Sequence, residues 1–279
     1  MNKIKIKICG ITRKEDALLA AELGAWAIGF IFVKNTPRYI SPENAAEIIK
    51  AIGNLYLRHS ELVSESNSNK TLKQVQGDNF GQCDSFVQGD NNIEKVGVFA
   101  DESLEEIKNI ALQTGITKIQ LHGDESPEFC ENLAKITGKE IIKAIKVKTN
   151  CHSEACFASR EIDCRVGALA PPRNDSYIYK YKDKVSFVLL DSYSESQLGG
   201  TGKAFDWEIA KKAKEYGIPI ILAGGLNPVN ARQAYEAVKP YALDVSSGVE
   251  LSKGIKDSEK LRKLFDFGNT ATLKSFLSP

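Results

Sequence analysis

The sequence predicts a parallel α/β fold: one (β/α)8 barrel of the TIM type, a single domain over residues 1–279 with two long loop insertions. Three observations point there. Short β-rich runs recur at 4–8, 27–32, 95–99, 117–121, 140–145, 185–190, 218–223 and 242–245. Stretches with helical periodicity lie between most of them, which favours parallel pairing through right-handed crossovers. Alternation that stops after the eighth unit closes on itself, as a barrel does. An open doubly wound sheet is the alternative that a strand count leaves standing.

The elements follow in order. Ile4 to Ile8 alternates apolar residues with lysines and stops at Cys9-Gly10. Lys14 to Leu23 reads as a helix with Ala17, Leu18, Ala21 and Leu23 on one side. The next helix spans Pro42 to Ile52, with Ser41 as N-cap and proline at the first helical position. Glu102 to Leu112 carries Leu104, Ile107, Ala111 and Leu112. Ser126-Pro127, Asp206 and Asn227-Pro228 open further helices.

Residues 55–92 and 149–178 break this rhythm. Both are rich in Ser, Asn, Gln, Gly and Asp, and both fall between strands. Insertions cost little there, because loop-closure entropy grows slowly with length. The first contains a short self-similar fragment, Gln76-Gly77-Asp78 and Gln88-Gly89-Asp90.

Composition narrows the class. Lys+Arg is 37 and Asp+Glu is 36, a balance that gives no electrostatic reason to expect nucleic acid or an anionic membrane surface. No apolar run approaches the roughly 20 residues of a membrane span. The N-terminus lacks the apolar core of a signal peptide. Six cysteines without a CxxC pair fit reduced thiols in a cytoplasm better than a disulfide scaffold. Cys151, Cys156 and Cys164 with His152 match no zinc spacing, so no metal site is expected.

The chemistry is expected at strand tips. In parallel α/β proteins ligands bind at the C-terminal ends of the strands. Cys9 ends the first run, and Asp191 ends Leu189-Leu190 far along the chain. A thiol and a carboxylate across one pocket can serve as base and acid. Ala223-Gly224-Gly225 after the seventh run and Ser246-Ser247-Gly248 after the eighth are candidate phosphate loops. Gly199-Gly200-Thr201-Gly202 reads as a flap over substrate or a further phosphate-facing loop.

An ordered series of motifs then carries a family resemblance. It comprises Lys7-Ile8-Cys9-Gly10-Ile11-Thr12, Gly29-Phe30-Ile31-Phe32, Pro37-Arg38-Tyr39-Ile40-Ser41-Pro42 and Val96-Gly97-Val98-Phe99. It continues through Ile119-Gln120-Leu121-His122-Gly123-Asp124-Glu125, Leu190-Asp191-Ser192 and Gly199-Gly200-Thr201-Gly202-Lys203 with Phe205-Asp206-Trp207. Ala223-Gly224-Gly225-Leu226-Asn227 and Asp244-Val245-Ser246-Ser247-Gly248-Val249-Glu250 complete it. The series resembles the phosphoribosylanthranilate isomerases of tryptophan biosynthesis and excludes the two polar insertions.

The resemblance implies an Amadori rearrangement of N-(5-phosphoribosyl)anthranilate, with Cys9 as general base and Asp191 as general acid. Arg38 is the candidate for the anthranilate carboxylate, since its planar fork can hold one through two hydrogen bonds. Gln120 and His122 are candidate substrate-binding residues, although a structural hydrogen bond for His122 fits the sequence as well. Gly202, Gly224, Gly225, Ser246, Ser247 and Gly248 are the expected phosphate set. No cofactor is implied, because the substrate's own amine is the electron sink. The partner is a small phosphorylated substrate, and monomer and homodimer are both open. An unperturbed Cys titrates near ~8.5 and an Asp near ~3.9, each the wrong way round for these roles at neutral pH. Lys7 is expected to favour the thiolate, and partial burial to favour protonated Asp191. Two other readings stay open: another phosphosugar barrel enzyme, and a remnant that binds ligand without turnover.

Overall fold

Eight parallel strands close into a barrel in chain order. They are β1 (Ile6–Cys9), β2 (Ala27–Ile31), β3 (Glu94–Phe99), β4 (Lys118–Leu121), β5 (Glu140–Lys148), β6 (Phe187–Tyr193), β7 (Ile220–Leu222) and β8 (Ala242–Val245). The computed structural model describes residues 4–68, 93–148, 178–193 and 207–266. Closure is made by β1 on β8, with Lys7 opposite Asp244 and Ile8 opposite Val245. That pairing removes the doubly wound alternative.

Strand parity sorts the side chains into two shells, because successive residues point to opposite faces. Ile6, Ile8, Ile28, Phe30, Ile119, Leu121, Val188 and Leu190 face outward into one large core with the helices. Ala27, Val96, Ile142, Ala144, Phe187, Leu189, Ile221, Ala223 and Ala242 fill the interior. Each fully buried Ile or Leu contributes about 1.5–3 kcal/mol, so the outer shell dominates stability. Trp26, Phe187 and Tyr241 cluster at the N-terminal end of the barrel, with ring centroids 4.8–6.1 Å apart. They plug that end and leave the opposite end for chemistry.

The described helices are α1 (Lys14–Glu22), α2 (Pro42–Ser68), α3 (Leu104–Thr114), α4 (Pro127–Thr137), α5 (Trp207–Lys214), α6 (Ala231–Val238) and α7 (Ser258–Asp266). Serine starts two of them where expected: Ser41 Oγ accepts from the Asn44 N–H at 3.3 Å and Ser126 Oγ from the Phe129 N–H at 3.2 Å. Ser103, which the sequence reading places inside the helix, instead caps α3 by accepting from the Glu106 N–H at 3.2 Å.

Four features differ from expectation. Helix α2 continues past Ile52 to Ser68, through the start of the first polar stretch. Leu, Arg and Glu in 55–62 are good helix formers, and they outweigh the poor periodicity there. Helix α6 begins at Ala231, because Asn227 Oδ1 accepts from the N–H groups of Val229 and Asn230 and holds an Asx turn first. Helix α7 and an antiparallel hairpin, β9 (Glu250–Ser252) with β10 (Ile255–Lys256), were not expected. At the end of the second polar stretch Ile178 is fully buried and belongs to the core. The remainder of the two insertions, 69–92 and 149–177, lies outside the described residues.

Candidate active site

Cys9 ends β1 and is 6% exposed, at the C-terminal mouth of the barrel. Its neighbour across the sheet is Gly29 on β2. A Cβ on Gly29 would lie 2.8 Å from the Cys9 sulfur, so glycine there gives the thiol its room. The Gly29 carbonyl accepts from the N–H groups of Gly10 and Ile11, each at 3.0 Å, which fixes the turn after the thiol. Burial is the largest influence on the Cys9 thiol and pushes its pKa up. The Lys7 ammonium pulls the other way without reversing the shift. Lys7 therefore favours the thiolate, as expected, but desolvation outweighs it.

Below the thiol the barrel interior is ionic. Lys7 is fully buried, and its Nζ donates to both carboxylate oxygens of Asp244 at 3.0 Å and to Gln120 Oε1 at 2.9 Å. Burial works against the Lys7 charge, but Asp244 and Cys9 more than offset it and raise its pKa. The Gln120 amide nitrogen lies 3.1 Å from His122 Nδ1. His122 Nε2 in turn lies 3.4 Å from Asp191 Oδ2 on β6.

Arg38 follows β2 and meets Glu250 on β9. Nε donates to Oε1 at 2.8 Å and Nη2 to Oε2 at 2.7 Å. Lys256 on β10 is buried and donates to Glu250 Oε1 at 3.0 Å, to the Cys9 carbonyl at 2.6 Å and to the Ser246 carbonyl at 3.1 Å. Burial is the largest effect on Glu250 and opposes its charge, yet Arg38 and Lys256 leave its pKa below the ordinary carboxylate value.

A pocket of ≈ 280 Å³ lies among these groups, with Lys7, Glu250 and Lys256 behind its wall. Cys9, Arg38, Gln120, His122 and Asp191 line it, together with Gly224, Gly225, Ser246 and Ser247. The expected base, acid, carboxylate ligand and most of the phosphate set are thus brought together. Gly248 does not line the pocket: a Cβ there would collide with the Leu226 carbonyl, so it lets the β8 loop lie against the β7 loop. Gly202 and the rest of the Gly199–Lys203 segment lie outside the described residues. Among the described residues no group of three His, Cys, Asp or Glu is arranged to hold a metal.

Sequence reasoning missed Asp244, Glu250 and Lys256 as site-building charges. Lys7 and Asp244 were legible in principle. Lys7 shares strand parity with Cys9, and a charged residue on that face of a closed barrel must find a buried partner. Lys256 had no such signal, because its partners are set by a hairpin that short polar strands do not announce.

Comparison with known proteins agrees with this geometry. The profile of the family described as N-(5'-phosphoribosyl)anthranilate isomerase matches residues 63–169 and 161–267. The chain is 39% identical over 259 residues to the N-(5'-phosphoribosyl)anthranilate isomerase of Geobacter sp. (strain M21), covering 93% of this chain and 95% of that one. It is also 39% identical over 260 residues to that of Aquifex aeolicus, covering 93% and 96%. The crystal structure of phosphoribosyl anthranilate isomerase from Thermotoga maritima superposes with a TM-score of 0.65 at 30% identity, over 95% of this chain and 98% of that one. A further solved isomerase is in complex with reduced 1-(o-carboxyphenylamino)-1-deoxyribulose 5-phosphate; it is 28% identical, with a TM-score of 0.62 over 94% of this chain and 97% of that one. With similarity running nearly end to end and the expected residues converging on one barrel mouth, the chain belongs to the phosphoribosylanthranilate isomerase family.

Proposed function

We propose that this protein isomerises N-(5-phosphoribosyl)anthranilate to 1-(2-carboxyphenylamino)-1-deoxyribulose 5-phosphate in tryptophan biosynthesis. The observation that carries the proposal is that Cys9 and Asp191, from strands β1 and β6, line the same pocket as the Gly224–Gly225 and Ser246–Ser247 loops.

Asp191 protonates the furanose ring oxygen as the C1–O bond breaks, and the amine lone pair forms the C1–N double bond of a Schiff base. The Cys9 thiolate then removes the C2 proton, and that electron pair moves to give the enol-amine. Tautomerisation yields the ketone. Arg38 holds the anthranilate carboxylate. Glu250 uses the Nε–H and one Nη2–H, which leaves the Nη1 edge of the fork for substrate. The phosphate sits against Gly224, Gly225, Ser246 and Ser247, where close-approaching backbone and hydroxyl groups suit an anion.

The function places the protein in the cytoplasm, in keeping with the free thiols of Cys9 and Cys130. No helix among the described residues is long and apolar enough to cross a membrane. Loss of anthranilate-substrate fluorescence measures turnover directly. Cys9→Ser and Asp191→Asn each lower kcat by about 10²–10⁴-fold, the usual contribution of a general acid or base. A folded, ligand-binding chain without turnover would instead make it a binding remnant.

A further inference from the structure

Five residues, drawn from four strands, form a continuous chain of contacts along the pocket: Asp244 on β8, Lys7 on β1, Gln120 on β4 and His122 just after it, ending at Asp191 on β6. The chain has a direction. An ammonium has only donors, so the Gln120 atom 2.9 Å from Lys7 Nζ must be the carbonyl oxygen. The NH2 group therefore faces His122 Nδ1 at 3.1 Å. That nitrogen must accept, so in the neutral ring the hydrogen sits on Nε2, the atom 3.4 Å from Asp191 Oδ2. Asp244 gives Lys7 the counter-charge that keeps it an ammonium in a place where it is fully buried.

We propose that Lys7 and Gln120 are positioning residues that fix the tautomer of His122, so that its Nε2–H donates to Asp191 Oδ2. The inference rests on Asp191 being the general acid of the proposed isomerase. With Oδ2 accepting from His122, the proton that Asp191 delivers sits on Oδ1. The amide of Gln120, with a protein partner at each end, then acts through His122 rather than on the substrate.

The test reads the ring and the rate separately. The ¹⁵N spectrum of histidine-labelled, full-length protein distinguishes bare from protonated ring nitrogens, and loss of a signal in His122→Asn assigns it. The unsubstituted protein shows Nδ1 bare and Nε2 protonated. Gln120→Glu keeps an acceptor for Lys7 but turns an acceptor toward the ring, so Nδ1 becomes protonated. Its kcat falls by about 10–100-fold, the usual cost of losing an orienting partner, with KM unchanged. A protonated Nδ1 in the unsubstituted protein overturns the inference, whatever the variant does. So does a Gln120→Glu protein with unchanged kcat, or one whose KM rises at constant kcat, which would make Gln120 a substrate ligand. Absence of turnover in the unsubstituted protein overturns the isomerase function instead, while the ring's tautomer still decides the wiring.

Discussion

Arg38 and Glu250, separated by most of the chain, face each other fork to fork through hydrogen bonds of 2.8 and 2.7 Å. Glu250 is nearly buried and Arg38 about a quarter exposed, so the pair is anchored from the β9 side and open toward the pocket. The same carboxylate accepts from Lys256, which also grips the carbonyls of Cys9 and Ser246. Glu250 and Lys256 thereby tie Arg38, the backbone of Cys9 and the Ser246 loop into one connected unit.

Glu250→Gln tests this unit. An amide has one acceptor oxygen where the carboxylate has two, so one of the paired bonds to Arg38 is lost. A hydrogen bond to a charged group is worth about 1.5–3 kcal/mol, so KM for the substrate rises by roughly tenfold or more. Arg38→Ala raises KM further, because it removes the fork itself. Steady-state kinetics on both variants decide the matter. Unchanged KM in Arg38→Ala would take the guanidinium out of the site.

Gly29→Ala adds a methyl group 2.8 Å from the Cys9 sulfur and 3.1 Å from its Cα. The thiol must turn or β1 must shift, and overpacking of this kind costs about 1–3 kcal/mol. A misplacement near 1 Å at a reacting group costs about 10²-fold, so kcat falls to that extent while KM moves little. Full activity in Gly29→Ala would mean that the thiol need not stay where the structure puts it.

The eight strands were legible because most are short apolar runs that end at a turn and alternate with helices; closure was the favoured reading of that count, and the β1–β8 pairing is what excludes an open sheet. Cys9 and Asp191 were legible for a related reason: parallel strands deliver their last residues to one mouth. Helix α7 was also legible but overlooked. Asp257 caps it by accepting from the Glu259 and Lys260 N–H groups, and Leu261, Leu264 and Phe265 share one face. The Glu250–Lys256–Arg38 unit was not legible. It depends on a β9–β10 hairpin of three and two residues, too short for periodicity to register. The competition between burial and Lys7 at the thiol was invisible for another reason: desolvation depends on packing density, which no local motif encodes.

Lys143→Met probes the frame that holds His122. Lys143 Nζ donates to Glu125 Oε2 at 2.7 Å and to the Gly123 carbonyl at 2.6 Å, with both side chains almost fully buried. Glu125 also accepts from the Asp101 N–H at 2.9 Å, and Tyr181 donates to its carbonyl at 2.8 Å. Removing one member of a buried pair strands the other charge and destabilises by about 3–5 kcal/mol. Urea unfolding should show a lowered midpoint with an unchanged slope. A loss below about 1 kcal/mol would mean that the pair is replaceable by packing alone.

The pH dependence of kcat/KM follows from the thiol's burial. Burial, the largest effect, raises the Cys9 pKa; Lys7 lowers it and Asp244 adds to the rise, and the net direction is upward. The reactive form needs Cys9 deprotonated while Asp191 keeps its proton, so the pair must hold one proton between them. Adding a second proton at low pH removes the base, and losing the last one at high pH removes the acid. The macroscopic limbs belong to the pair, and the upper one corresponds to loss of the proton that resides mainly on the thiol. Because that thiol is pushed up, the plateau extends beyond the ordinary cysteine value of about 8.5 before activity declines. The same shift limits the rate: each unit of rise in the thiol lowers the population of the reactive form about tenfold. A decline of kcat/KM centred at or below the ordinary cysteine value would show that Cys9 is not held up by burial in the working enzyme.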